Sequence, residues 1–147
     1  MRSALLFLLL CGCGGGGTPG TQAECPTNPV KFELVDSIVG LGSCDRCRGD
    51  GWTYCKVLRT LPPDLLVRVV AHELGHAAGL AHDFDGSGCI MDQDVGHLCG
   101  AEIHAMSLLR YGKQVIEVYP SAEAHDAVVD AVALWHAGTV WPVFGVN

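Results

Sequence analysis

Val30, Lys31, Phe32, Glu33 and Leu34 alternate apolar with polar, the period of a half-buried strand, and the apolar character runs on towards Val39. Residues 40–51 are rich in Gly and Cys and read as a turn region. Residues 52–59 offer a second strand. Thr60-Leu61-Pro62-Pro63-Asp64 has the chemistry of a helix start, because Pro suits the first turn and an acid suits the positive helix end. The helix it opens spans about 64–79. Its first half, 65–71, is almost wholly apolar, so the helix should be buried. Residues 81–98 show no convincing period and read as loop. Residues 99–111 follow as a helix with Ile103, Met106 and Leu109 on one face and Gly112 as its stop. A short strand at 115–119 precedes a helix capped by Ser121 and running to about 137, with Ala124, Val128, Ala131 and Trp135 on one face and Gly138 ending it. A last strand fits 139–146, where Pro142 confines it to a sheet edge.

The front of the chain has a different character. Arg2 precedes an apolar run at 4–10 that is too short to span a bilayer but suits an export signal. Leu10-Cys11-Gly12-Cys13 resembles a bacterial lipoprotein processing site, which implies lipidation at Cys13, with cleavage before Cys11 or an ordinary cleaved signal as the alternatives, and a membrane attachment through lipid rather than through a transmembrane helix. The Gly-rich stretch that follows reads as a tether. The expected organisation is a signal at 1–12, a linker at 13–29 and one catalytic domain at 30–147, exported to the cell envelope or secreted.

The 147 residues, 49% hydrophobic and 17% charged, suit one globular core. A formal net charge of −7 argues against a nucleic-acid partner, which needs a basic face. Eight cysteines are many for this length. Setting Cys11 and Cys13 aside leaves six, an even number that points to disulfides in an exported chain, with connectivity open. Cys44 and Cys47 have the spacing of half a zinc ribbon, but no second such pair exists, so disulfide use is the better reading.

The most informative segment is His72-Glu73-Leu74-Gly75-His76-Ala77-Ala78-Gly79-Leu80-Ala81-His82. On a helix, His72 and His76 lie one turn apart on one face, so two imidazoles can reach one ion. Glu73, beside the first of them, can reach a water on that ion without ligating it. Gly79 permits a left-handed exit that folds the chain back and returns His82 as a third ligand. Three protein ligands leave a fourth position for water, the pattern of a catalytic zinc.

This segment resembles the metzincin signature HExxHxxGxxH. The resemblance implies a zinc metalloendopeptidase acting on proteins or peptides, with one Zn²⁺, Glu73 as general base and, in Cys89-Ile90-Met91-Asp92, a Met-turn carrying Met91. Gln93 stands where astacins and serralysins carry a tyrosine two residues after that methionine, so no Tyr ligand is expected. Asp83 and the Cys-Ile-Met turn are similar to adamalysins. The stretch 102–112, ending in Arg110-Tyr111-Gly112, is similar to the final matrixin helix, which favours a matrixin-like reading. The implied fold is α+β: a small twisted mixed sheet with a zinc-binding active-site helix, a C-terminal-type helix and a backing helix. Metzincins place a strand, a long helix and more strands before the zinc helix, and too few residues precede it here. The strand, helix and strand at 113–146, with Trp135 near the helix end, resemble those opening elements, so the chain reads as circularly permuted. That requires the 121–137 helix to pack behind the sheet beside the zinc helix.

Further expectations follow from the resemblance. Substrate should lie extended along an edge strand, for which 52–59 is the nearest candidate. Asp92 and Asp94 read better as solvated loop acids than as a basic-residue pocket. Cys25 reads as a disulfide cysteine rather than a zinc-blocking thiolate. Asp83 and Asp85 match no defined calcium loop, so Ca²⁺ has no motif behind it. His97, His104, His125 and His136 read as surface or packing histidines. The chain is expected to be a monomer. A zinc-dependent binding lipoprotein without turnover, and a disulfide-rich module whose histidines hold nothing, are the competing classes.

Overall fold

The computed structural model describes residues 28–46, 48–83, 86–108, 114–118, 121–137 and 144–147. Strands β1 (Val30–Val35), β2 (Gly42–Asp45) and β3 (Thr53–Leu58) come first. Helices α1 (Pro63–Ala78) and α2 (Gly100–Leu108) follow, and then β4 (Gln114–Val118), α3 (Ala122–His136) and β5 (Phe144–Val146). The result is a small mixed α+β fold with a five-stranded sheet ordered β2-β3-β1-β4-β5. β1 pairs in parallel with β3 and β4, and β4 with β5, while β2 alone runs antiparallel, against β3.

The alternation in β1 does what its period demands. Val30, Phe32 and Leu34 are buried, and with Cys55, Val57, Ile116 and Phe144 they form a core with Leu74 and Ala77 of α1 and Val128, Ala131 and Trp135 of α3. Each large side chain fully buried there contributes about 1.5–3 kcal/mol. The alternate residues stay at the surface, where Lys56 pairs with Glu33 at 3.2 Å and the Lys31 ammonium sits 4.2 Å from the Trp52 ring centre.

α1 begins at Pro63, with Asp64 in its first turn, and ends at Gly79, whose φ of 112° is left-handed. There Leu80 N–H bonds to Gly75 O and Gly79 N–H to His76 O, both at 2.9 Å, the Schellman pattern that only a residue without Cβ adopts at low cost. The Ser121 Oγ caps α3 by accepting from Ala124 N–H at 3.0 Å. α3 packs on α1, as the permuted reading requires: Trp135 Nε1 donates to Ala71 O at 2.9 Å.

Three expectations need correction. The strand at 52–59 is internal, flanked by β1 and β2; the edge on that side is β2, and β5 forms the other edge. Residues 40–51 are not all turn, since Gly42–Asp45 pairs with β3. β2 lacks alternation and strong strand formers, so its conformation comes from pairing, not propensity. β1 stops at Val35, where Asp36 and Ser37 break the run, and Val39 is 98% exposed.

Disulfides join Cys44 to Cys55, directly opposite across β2 and β3, and Cys89 to Cys99. Both suggest an oxidising, exported environment. Among the described residues no helix is long and apolar enough to cross a membrane. The signal at 1–12, Cys13, most of the 13–29 linker, Cys25, Cys47 and Asp85 lie outside the described residues.

Candidate metal centre

His72 and His76 project from one face of α1, and the Gly79 turn returns His82 to them. His72 Nε2 lies 3.0 Å from both His76 Nε2 and His82 Nε2. The backbone explains why these nitrogens face one another. His72 Nδ1 contacts Ile90 O at 2.6 Å and His76 Nδ1 contacts Leu80 O at 2.8 Å. A carbonyl only accepts, so each Nδ1 carries the proton and each Nε2 offers a lone pair. The Gly79 turn thus does two jobs: it redirects the chain and it swings the Leu80 carbonyl back onto His76.

Two such lone pairs 3.0 Å apart repel unless a cation lies between them. Tetrahedral ligands about 2.0–2.1 Å from an ion would stand roughly 3.3 Å apart, so the trio needs to open by only a few tenths of an ångström. Burial holds His72 near 4 and His76 near 3, so both are neutral and ready to ligate at neutral pH. His82 is also lowered by burial, with the Asp92 charge acting in the opposite direction. The donor set fits a single metal ion.

Glu73 is 5% exposed, and burial pushes its carboxyl up to about 8. Its Oε2 has no hydrogen-bond partner among the described residues. A buried carboxyl left this way is costly on its own and is relieved by a nearby dication, which favours the charged form. β2 lies against it: a Cβ on Gly42 would stand 2.8 Å from Glu73 Oε1.

These shifts set a pH signature for the metal-free protein. Between about 4.5 and 6.5 the unfolded chain holds protons on His72 and His76 that the folded chain lacks, while folded Glu73 holds one that the unfolded chain lacks. The unfolded state binds more protons, so stability rises with pH. Between about 6.5 and 8 only Glu73 counts, and stability falls. Urea unfolding across pH 4.5–8 in chelator should show a maximum near 6.5; a monotonic curve would contradict the assignment.

Beneath the histidines, α1 is met from two sides. A Cβ on Gly75 would lie 2.5 Å from Met91 Sδ and 3.1 Å from Trp135 Cζ2. Met91 is 2% exposed and Trp135 fully buried, so neither can withdraw. Gly75→Ala gains about 0.8–1 kcal/mol of helix propensity but incurs overpacking of about 1–3 kcal/mol. A net loss of stability is expected in chemical denaturation, and a stabilised variant would disprove the contact.

Of the residues expected to carry the chemistry, His72, His76 and His82 are brought together, with Gly79 at the turn, and Glu73 is buried against Gly42. Met91 sits beneath α1. The Asp92 carboxylate is occupied by Gly88 N–H and Gln93 N–H, and Asp83 N–H bonds to Met91 O. His97, His104 and His125 are exposed, and His136 accepts from Phe144 N–H. A second grouping, Cys89, Cys99 and Glu102, has its sulfurs joined as a disulfide and is no metal site. The sequence reading missed Glu102, whose buried carboxylate accepts from Ile90, Met91 and Cys99 N–H. Its only sequence signal is an acid in the first turn of a helix, which ordinarily marks a capping preference. Comparison with described protein families, with curated proteins and with solved structures finds no match for this chain.

Proposed function

We propose that this chain is a zinc-dependent metalloendopeptidase of matrixin-like metzincin type that hydrolyses peptide bonds in proteins or peptides. The observation that carries the reading is the convergence of three imidazole nitrogens, with the first of them next in sequence to Glu73, a buried carboxyl whose Oε2 has no hydrogen-bond partner among the described residues. His72, His76 and His82 would hold the ion. Zinc bound there supplies a coordinated water of pKa near ~7 and polarises a carbonyl. Glu73 Oε2 accepts the proton of the attacking water and passes it to the leaving amine. Met91 underlies the ligand helix in the Met-turn role. β2, the edge strand that borders Glu73 through Gly42, receives an extended substrate by main-chain pairing.

The permuted architecture belongs to the same proposal. In it, β4, α3 and β5 correspond to the opening elements of the family. Val30 and Val146 both register with Ile116, so the end of β5 and the start of β1 are level and about two strand spacings, ~10 Å, apart. Lipidation at Cys13, the division at residues 12 and 29, and action as a monomer at the cell envelope complete the proposal.

Metal analysis of the purified protein and chelator-sensitive cleavage of casein or a fluorogenic peptide test it. One zinc per chain with cleavage is expected. Absence of stoichiometric zinc removes the proposal, and zinc without cleavage reassigns the chain as a binding protein.

A further inference from the structure

The peptide group between Ile90 and Met91 is held at both ends. Its carbonyl, on Ile90, accepts from His72 Nδ1–H at 2.6 Å. Its N–H, on Met91, donates to Glu102 Oε1. The other carboxylate oxygen, Oε2, accepts from Ile90 N–H and Cys99 N–H, each at 3.1 Å. Glu102 is 6% exposed, so this carboxylate acts with little water to screen it.

We infer that Glu102 is a positioning residue of the metal centre, acting on His72 through the Ile90–Met91 peptide. Hydrogen bonds in a chain polarise one another. A carboxylate drawing on the N–H end of a peptide leaves more negative charge on its oxygen. That oxygen then accepts more strongly from His72 Nδ1–H, which fixes the ring and makes Nε2 a better ligand. Carboxylates usually orient metal-binding imidazoles by direct contact; here one peptide group stands between. Tethering alone does not account for the arrangement. The Cys89–Cys99 disulfide already ties the Met91 turn to the start of α2, and it would do so with an apolar residue at position 102. Three N–H groups from two segments, gathered on one buried carboxylate, serve orientation instead.

The inference rests on His72 being a metal ligand, and the test separates the two. Zinc affinity of the full chain is measured by competition with a chromophoric chelator, for wild type and Glu102→Gln. The cobalt(II) forms are compared by visible absorption. Gln keeps the shape but sets an NH₂ group against one of the N–H donors. Zinc affinity is expected to fall about 10–100-fold, with a shifted cobalt spectrum. Wild-type affinity and an unchanged spectrum in Glu102→Gln overturn the inference and leave the metal centre standing. A wild-type chain that binds no zinc overturns both. Should the variant not fold, the wild-type protein decides: the Met91 amide proton should resonate downfield and exchange slowly, and an ordinary shift with fast exchange overturns the relay.

Discussion

Glu73→Gln is expected to lower peptide hydrolysis by about 10²–10⁴-fold, the usual contribution of a general base, while the protein still binds one zinc per chain. The two halves of this expectation come from different atoms. In the proposed centre, metal affinity would rest on the imidazole nitrogens of His72, His76 and His82, and on the carbonyls of Ile90 and Leu80 that contact the first two. None of these involves the Glu73 side chain. Gln fills the same space beside Gly42 and needs no protein rearrangement, but it cannot take up a proton. The measurement is kcat with a fluorogenic peptide alongside metal content by elemental analysis. A variant as active as wild type would remove Glu73 from the chemistry. One that also lost zinc would show that the carboxyl supports the ion and not only the reaction.

Trp135→Ala should destabilise the fold by about 3–5 kcal/mol, a large share of the roughly 5–15 kcal/mol that holds a domain folded. Trp135 is fully buried, fills the space where a Cβ on Gly75 would stand, and donates to the carbonyl of Ala71, the residue just before the first histidine. Its removal opens a void directly behind the ligands. Trp135→Phe keeps most of the ring and loses the donor, so about 1 kcal/mol is expected. Urea denaturation of the three proteins in chelator gives the ranking. A loss below about 1 kcal/mol for the alanine variant would mean that the void collapses and that α3 is not the support of the site.

That support role shows where sequence reading reaches and where it stops. The helix carrying His72 and His76 was legible because its determinants are local: Pro63, the apolar run and Gly79 act within a few residues of one another. The turn that returns His82 was legible for the same reason. The edge strand beside Glu73 was not. Gly42, Ser43, Cys44 and Asp45 have no strand period, and their conformation depends on β3, separated from them by a loop. Disulfide partners were equally hidden, since Cys44 meets Cys55 only because β2 and β3 pair in one register. Glu102 looked like any acid at a helix start. Its three donors come from a turn and a helix start that face each other only in the folded chain.

The amino-acid order alone determined the elements whose stability is local, and the residue types and spacing able to gather three imidazoles and a carboxyl. Tertiary structure alone decided which strand is left at the edge beside Glu73. It also decided that α3 packs against the helix of His72 and His76, and that a carboxylate on α2 reaches His72 through a peptide group. Helix period and turn chemistry act over neighbouring residues, whereas strand order, packing and long-range hydrogen bonds exist only once distant segments have closed on one another.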